Sequence, residues 1–432
     1  MCLVRLRIRS RGSVGEGILS FSAETLQQIS AEVGTPTYVY DADAIAAQYQ
    51  SLTRAFDGTP HRVFYSVKSN SNLAILRLLK GLGAGADIVS GGELARTRVA
   101  GIPAMDVVYS GVGKTRSELA DAVTAGVGLI NVESSGEVEE LARVAAELGA
   151  VANCGIRVNP DVTTDTHPYT QTGEHGMKFG VPADELVSTA LKIADHPNLA
   201  LLGVGMHIGS QITNPDNYRD AAEKLAGLFG MVLDAGIEGM KWLGIGGGLG
   251  IRYTTENPLS ADEFAGAVRS LHERFGVCLA LEPGRFLVGA AGCLLTECVY
   301  VKRSGNREFA IVDAGMNDLI RPSLYDAEHD IRNVSKSDSY KDSAGVKYDV
   351  VGPICESGDF LGRDRALGKL APGDLLAVLG TGAYGFSMSS NYNSRPRAAE
   401  VLVKGSRWRV IRQRETTDDL MRGEELAEPS GG

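Results

Sequence analysis

The chain has 432 residues, of which 44% are hydrophobic, and its 43 basic and 53 acidic residues give a formal net charge of −10. A chain of this length and apolar content can bury a large core and is expected to form more than one domain. The acidic balance, without a basic stripe of interleaved aromatic residues, argues against a nucleic-acid partner, and no apolar run is long enough to span a bilayer.

The first ten residues, MCLVRLRIRS, are basic and contain no acidic residue. Organellar transit peptides share this composition, but apolar and basic residues alternate here with period two, as in an edge strand, and a secretory apolar region is absent. The six cysteines form no C-x-x-C pair and show no metal-type spacing with the seven histidines. We therefore expect reduced thiols, no metal site and a cytoplasmic location.

From about residue 61 one pattern repeats: a short apolar or β-branched run, a glycine or polar turn, and a helical stretch rich in Ala, Leu and Glu. The strand candidates are RVFYSV, ADIVS, DVVYSG, GLINVE, CGIRVN, LLGVGMHIG, KWLGIGG and CLALEPG. Eight strands alternating with helices predict an α/β fold, a parallel (β/α)8 barrel of the TIM type, which we place at residues 36–285. A doubly wound sheet is the alternative, but no G-x-G-x-x-G motif follows a first strand.

After residue 285 the long helical periodicity disappears, and strands separated by loops follow. Their candidates are CLLTECVYVKRS, EFAIVDAG, YDVVGPICE, DLLAVLG, AAEVLVKG and WRVIRQR. This pattern predicts a second, mainly β domain over residues 286–432, of sandwich or barrel type, which strands from residues 1–35 complete.

The active site of a (β/α)8 barrel collects at the carboxyl ends of its strands. The first strand ends at Lys68, the sixth at His207, the seventh in the glycine loop 246–250 and the eighth at Glu282. Each feature alone has an ordinary explanation: a surface lysine, a core histidine, a tight turn and an ion-pair partner. Together they match the needs of pyridoxal phosphate, namely an amine for a Schiff base, an anion site for the phosphate and an acid for the ring nitrogen.

Five ordered segments, FYSVKSN, DIVSGGEL, HIGSQI, GIGGGLG and EPGR, resemble the fold-type III pyridoxal phosphate-dependent decarboxylases, and most closely the diaminopimelate decarboxylase family. The resemblance runs from Val33 to Arg397, nearly the whole chain, and includes KFG, MNDLIRPSLY and GPICESGD. It implies the decarboxylation of meso-2,6-diaminopimelate to L-lysine and CO2, the last step of lysine biosynthesis.

For the cofactor, the resemblance implies that Lys68 carries it as a Schiff base, that Glu282 pairs with the pyridine nitrogen and that His207 stacks on the ring. Asp87 and Arg157 are implied to lie near the Schiff base. The implied phosphate ligands are Ser210, the backbone of Gly247, Gly248, Gly284 and Arg285, and the hydroxyl of Tyr384. We expect burial and neighbouring charges to lower the pKa of Lys68.

For the substrate, the resemblance assigns the distal carboxylate to Arg285, Arg321 and Tyr325, and guanidinium forks suit a carboxylate. Tyr384 is implied to face the substrate as well.

Two further residues, Cys355 and Glu356, match positions that reach the active site of the other subunit. Cys355 is the implied acid that reprotonates the α-carbon, and Glu356 the implied partner of the distal amino group. We therefore expect an obligate homodimer with shared sites, in which the β domain contributes to the interface.

Three alternatives stay open. One is a related decarboxylase that acts on carboxynorspermidine, ornithine or arginine, or a paralogue from a secondary-metabolite pathway; Glu356 with Arg285 and Arg321 argues against the diamine-forming enzymes. An amino-acid racemase shares the barrel and cofactor but needs a second base opposite the lysine. A pyridoxal phosphate homeostasis protein resembles the barrel alone, and the matched motifs after Arg285 argue against it.

Overall fold

The computed structural model describes residues 19, 21–162, 173, 177–335 and 346–426. Within these ranges the chain forms a closed barrel of eight strands and a separate nine-stranded sheet. The predicted combination of a (β/α)8 barrel and a mainly β domain is therefore confirmed. The strand expected in MCLVRLRIRS lies outside the described residues, and no helix in the described part is both long and apolar enough to cross a membrane.

The strands are β1 (Thr37–Asp41), β2 (His61–Ser66), β3 (Gly85–Ile88), β4 (Val107–Tyr109), β5 (Leu129–Val132), β6 (Ala152–Arg157), β7 (Leu199–Gly205), β8 (Trp242–Gly246), β9 (Cys278–Leu281), β10 (Gly292–Ser304), β11 (Arg307–Val312), β12 (Ile331–Asn333), β13 (Lys347–Val351), β14 (Phe360–Ala366), β15 (Leu375–Leu379), β16 (Ala399–Lys404) and β17 (Arg407–Arg412). The α-helices are α1 (Ala23–Val33), α2 (Ala42–Ala55), α3 (Leu73–Leu82), α4 (Gly91–Ala100), α5 (Arg116–Ala125), α6 (Ser135–Glu147), α7 (Leu186–Ala194), α8 (Pro215–Asp234), α9 (Ala261–Val268), α10 (Ser270–Phe275), α11 (Arg285–Val288), α12 (Arg321–Tyr325) and α13 (Thr417–Leu420).

Strands β2 to β9 close the barrel in chain order, all parallel, and at least one helix follows each of them. All eight predicted barrel strands are present. The outer helices form because apolar residues recur at helical spacing: in α8, Asn214 caps the first turn, and Tyr218, Leu225 and Phe229 lie buried along one face. This packing fixes the barrel whose carboxyl end carries the predicted site.

The second sheet has the order β14-β13-β11-β10-β1-β16-β17, and β15 joins it through β10 and pairs with β12. The long strand β10 holds this sheet together, since its first half pairs with β1 and β15 and its second half with β11. The sequence prediction missed β12, which has three residues, and β14, whose sequence FLGRDRA is largely polar. Neither strand shows the apolar run used to find the others.

The strands predicted within residues 1–35 fall partly outside the described residues, and the described part contributes a helix to the second domain. Among residues 1–35 the described part forms helix α1, capped by Ser22, rather than a strand. Its Leu26 and Ile29 pack with Val39 and other residues of the β domain. Residues 36–41 were predicted with the barrel, but β1 pairs with β10 and β16, so this strand belongs to the β sheet.

A hydrogen-bonded seam joins the two domains directly beside Lys68. The Tyr384 N–H donates to the Ser69 carbonyl at 2.8 Å, and the Asn70 side chain donates to the Gly382 carbonyl at 3.1 Å. Both barrel residues follow Lys68 within two positions. The β domain therefore fixes the turn that carries this lysine.

Candidate active site

A cavity of about 620 Å³ opens at the carboxyl ends of the barrel strands. Eleven of the predicted site residues line it: Lys68, Arg157, His207, Ser210, Gly248, Glu282, Gly284, Arg285, Arg321, Tyr325 and Tyr384. An adjoining cavity of about 400 Å³ shares four of these residues and is also lined by Asp87. The structure thus brings together side chains from both domains, although they are distributed over most of the sequence.

The lysine itself lies on a short turn, residues 67–69, directly after β2. The Ser66 hydroxyl lies 2.8 Å from Asp87 Oδ2 and 2.9 Å from the carbonyl oxygen of Glu282, so strand β2 is tied to its two barrel neighbours. Ser69 donates its hydroxyl hydrogen bond to the carbonyl of Ser66 at 2.8 Å, which closes the turn. These bonds fix the turn from which Lys68 lines the cavity.

The charge on Lys68 is stabilised by its neighbours. Burial lowers the pKa of the amine, but the charges of Asp87, Tyr384 and Glu282 raise it, and the net pKa lies above the ordinary value. The expectation that the pKa of Lys68 is lowered was therefore wrong. At this position the combined effect of Asp87, Tyr384 and Glu282 outweighs desolvation and the opposing charge of Arg157.

The acid at the end of β9, Glu282, is stabilised in its neutral, protonated form. Burial is the largest effect on Glu282 and raises the pKa of its carboxyl, and the charge of Asp87 adds to this. Lys68 and Arg157 oppose the rise without cancelling it. Glu282 is therefore a carboxyl group that retains a proton more readily than an exposed glutamate.

His207 is a neutral ring. Burial, followed by the charges of Lys68 and Arg157, lowers its pKa well below 6.5. Its Nδ1 accepts a hydrogen bond from the N–H of Gly247 at 3.2 Å, so the proton lies on Nε2. A neutral, buried imidazole supplies a flat, weakly polar surface in the cavity.

The glycine loop after β8 requires its glycines. Gly248 has φ +93°, in the left-handed region, and a Cβ on Gly247 would lie 2.1 Å from the carbonyl oxygen of Glu282. The loop is fixed by the Glu282 N–H, which donates to the Gly246 carbonyl at 2.8 Å. Since α9 begins only at Ala261, an anion site here consists of loop N–H groups and side chains rather than a helix N-terminus.

Two buried arginines, Arg285 and Arg321, line the cavity without an acidic partner in the described part of the chain. Their exposed fractions are 7% and 5%, and no ion pair within the described ranges joins either one to an acid. Arg285 donates to the Ser210 hydroxyl at 2.9 Å and to the Tyr253 hydroxyl, and the Nε atoms of both arginines have no hydrogen-bond partner among the residues that the structure describes. Buried guanidinium groups without a carboxylate partner are costly, so this cavity is built to receive anions.

The position of Arg157 depends on Glu133, which the sequence prediction missed. Glu133 accepts hydrogen bonds from Arg157 at 3.2 Å, from the Gly111 N–H at 2.7 Å and from the Gly180 N–H at 3.1 Å. Glu133 directly follows strand β5, so the strand-end rule could have found it. Tyr253 and His329, which contact the arginines, do not directly follow a barrel strand and carried no such signal.

The predicted residues Cys355 and Glu356 line neither of these two cavities. They are exposed on the loop between β13 and β14. The Cys355 N–H donates to the Asn393 side chain at 3.1 Å, and Glu356 accepts from the Tyr392 hydroxyl. Gly247 also lines neither cavity, but its N–H donates a hydrogen bond to His207.

This donor set fits pyridoxal phosphate. Lys68 offers the amine, Glu282 a buried acid and His207 a neutral ring, and all three line one cavity. The observation that decides the fit is the unpaired charge of Arg285 and Arg321, because a phosphate and a second anion supply what the chain leaves unsatisfied.

Comparison with known proteins agrees with this geometry. The family model "Pyridoxal-dependent decarboxylase, pyridoxal binding domain" matches residues 42–289. The diaminopimelate decarboxylase of Pseudomonas aeruginosa is 50% identical over 402 residues, which cover 93% of this chain and 95% of that protein. The diaminopimelate decarboxylase of Aquifex aeolicus is 45% identical over 407 residues, 94% of this chain and 95% of that protein.

Solved structures give the same result. The diaminopimelate decarboxylase of Helicobacter pylori complexed with L-lysine superposes with a TM-score of 0.88 at 38% identity, over 92% of this chain and 98% of that chain. A lysine/ornithine decarboxylase from Vibrio vulnificus, at 22% identity and a TM-score of 0.77, shares the fold. The chain therefore belongs to the pyridoxal-dependent decarboxylases and, within them, to the diaminopimelate decarboxylase family.

Proposed function

We propose that this chain removes one carboxylate of meso-2,6-diaminopimelate as CO2 and releases L-lysine, the last step of lysine biosynthesis. The observation that carries the proposal is the pair of buried arginines, Arg285 and Arg321, in the cavity of Lys68. The cavity needs two anions, and a cofactor phosphate and the distal carboxylate of a dicarboxylic substrate supply them. Ornithine has no distal carboxylate to offer.

Pyridoxal phosphate, when bound, supplies the electron-accepting ring that stabilises the negative charge left on the α-carbon when CO2 departs. Lys68 would hold it covalently, and Glu282, with its raised pKa, would hold a proton at the ring nitrogen. His207 would cover one ring face and Asp87 and Arg157 would flank Lys68. The phosphate would lie among Ser210, Gly247, Gly248, Gly284, Arg285 and Tyr384.

The substrate's distal end would lie against Arg321, Tyr325 and Arg285, with Tyr384 beside them. The guanidinium group of Arg285 stacks on the ring of Tyr384, with its Cζ 4.8 Å from the ring centroid. Because the guanidinium groups are buried, water competes poorly for them. These contacts would orient the scissile carboxylate relative to Lys68.

We also propose that the enzyme is a homodimer with shared sites. Cys355 and Glu356 are exposed and lie outside their own chain's cavities, which supports a role in the site of a second copy. There the Cys355 thiol would give its proton to the α-carbon after CO2 leaves, and Glu356 would accept a hydrogen bond from the distal ammonium group.

Mixing two inactive variants tests the shared site. K68A and C355A homodimers should each be inactive, whereas hybrids combine one intact Lys68 with one intact Cys355. Random reassociation should restore about a quarter of the wild-type activity, since half of the dimers are hybrids with one complete site. Activity that does not recover after the subunits demonstrably exchange would place both residues in one chain's site.

The substrate is tested with purified holoenzyme and four separate compounds: meso-diaminopimelate, L-ornithine, L-arginine and carboxynorspermidine. We expect CO2 and L-lysine from meso-diaminopimelate and no CO2 from the others. Release of CO2 from carboxynorspermidine alone would replace this proposal with the related decarboxylase. The cytoplasm is the compartment we propose, because all five cysteines of the described part are free thiols.

A further inference from the structure

One buried histidine lies behind the substrate cavity, in contact with two residues that line it, Arg321 and Tyr253. His329 lies between α12 and β12, is 0% exposed and lines neither of the two cavities described above. Its Nε2 lies 2.9 Å from Nη1 of Arg321, and its Nδ1 lies 2.7 Å from the carbonyl oxygen of Leu379. A carbonyl only accepts hydrogen bonds, so Nδ1 carries the proton and Nε2 accepts from Arg321.

Tyr253 holds the same guanidinium from another side. The Cζ of Arg321 lies 4.4 Å from the centroid of the Tyr253 ring, and the His329 ring packs edge-on against this tyrosine at 5.0 Å. The Tyr253 hydroxyl also accepts a hydrogen bond from Arg285. Arg321 is thus fixed by a hydrogen bond and a stacking contact, neither of which carries a negative charge.

This arrangement differs from that of Arg157 and Arg412, and it resembles that of Arg285, whose hydrogen-bond partners are also neutral. Arg157 is paired with the carboxylate of Glu133, and Arg412 with that of Glu400. An acid beside Arg321 would orient its guanidinium equally well, but it would cancel the charge that attracts a carboxylate. A neutral acceptor orients the group and leaves the charge available to the ligand.

We propose that His329 is a positioning residue that determines specificity for the distal carboxylate, by holding Arg321 toward the cavity without neutralising it. This inference rests on the proposed function, because it takes that carboxylate as the ligand of Arg321. Burial, followed by the charges of Arg321, Arg285 and Arg365, lowers the pKa of His329 to about 3, and the bond to the Leu379 carbonyl only partly opposes this. The ring therefore stays neutral over the working pH range.

Two variants separate the two hydrogen bonds of the ring. H329N keeps a donor for the Leu379 carbonyl and loses the acceptor for Arg321, whereas H329Q keeps an acceptor at the position of Nε2. Each is tested as holoenzyme with L-lysine and with cadaverine, which is L-lysine without its carboxylate. Binding is measured by calorimetry, and kcat and KM are measured with meso-diaminopimelate.

We expect H329N to bind L-lysine about tenfold to a hundredfold more weakly than wild type, as for a lost hydrogen bond to a charged group, and to bind cadaverine unchanged. In H329N the KM for meso-diaminopimelate should rise by a similar factor, while kcat changes less. H329Q should recover most of the affinity. The reverse order, with H329Q impaired and H329N normal, would show that His329 serves only the Leu379 carbonyl and would overturn the inference.

The controls separate this inference from the function on which it rests. Wild-type enzyme that does not convert meso-diaminopimelate would refute the proposed function, whereas active wild type with normal L-lysine binding in H329N would refute only the role of His329. If both variants unfold, 15N NMR of histidine-labelled wild-type holoenzyme decides. A protonated Nδ1 and an unprotonated Nε2 support the inference, and a protonated Nε2 on His329 overturns it.

Discussion

Replacing Gly247 by alanine should displace three parts of the site with a single methyl group. The added Cβ would lie 2.1 Å from the Glu282 carbonyl oxygen, and ordinary contacts begin at about 3.4 Å, so one backbone must move by more than about 1 Å. Gly247 also donates to His207 and accepts from the Tyr218 hydroxyl. The movement would therefore reach the ring acid and the stacking histidine as well as the loop.

We expect G247A to lose about 1–3 kcal/mol of stability through overpacking and to bind pyridoxal phosphate at least about tenfold more weakly. Cofactor titration followed by absorbance, together with thermal unfolding, measures both effects. The matched control is G266A, in helix α9, where a Cβ meets nothing within 4 Å. It should bind the cofactor normally and gain up to about 1 kcal/mol. Wild-type cofactor affinity in G247A would refute the close-contact argument.

Three further predictions concern the amine, the buried histidine and a buried carboxylate of the β domain. K68R keeps the positive charge but cannot form a Schiff base, so it should show neither the absorbance of a lysine Schiff base nor CO2 release; either signal at the wild-type level would contradict the assignment. The folded pKa of His329 lies below the unfolded value of about 6.5, so its contribution to stability is complete above that pH and is lost as the pH falls toward 3. Between pH 7 and 5 wild type should lose about 2 kcal/mol more than H329Q in urea unfolding, and equal losses would contradict the buried neutral ring. R412M leaves the fully buried Glu400 without its ion pair and should lower stability by about 2 kcal/mol, whereas R409M, at an exposed position on the same strand, should change it by less than about 0.5 kcal/mol.

The barrel could be predicted because its strands are apolar runs that alternate with helical stretches, in which apolar residues recur along one face. Every strand predicted in this way is present. It missed β12 and β14 because a strand of three residues and a polar edge strand lack that pattern. Helix α1 was not predicted, although Ser22 followed by apolar residues at helical spacing, Leu26 and Ile29, indicates a helix.

The candidate site was predictable where its residues follow barrel strands and where ordered motifs matched a family. The pKa of Lys68 was predicted in the wrong direction, because the sequence does not reveal that the effect of Asp87, Tyr384 and Glu282 outweighs that of burial. His329 and Tyr253 escaped for a related reason. Their role exists only through contacts with Arg321 and Arg285, which loops distant in sequence bring together.

The seam beside Lys68 has a consequence for the order of folding. The turn that carries the lysine is bonded through Ser69 and Asn70 to residues 382–384, which the ribosome makes more than three hundred residues later. A growing chain can close the barrel before that segment exists, but it cannot yet fix the lysine. Cofactor capture should therefore be a late event of biosynthesis, and nascent chains that stop before residue 382 should emerge without pyridoxal phosphate.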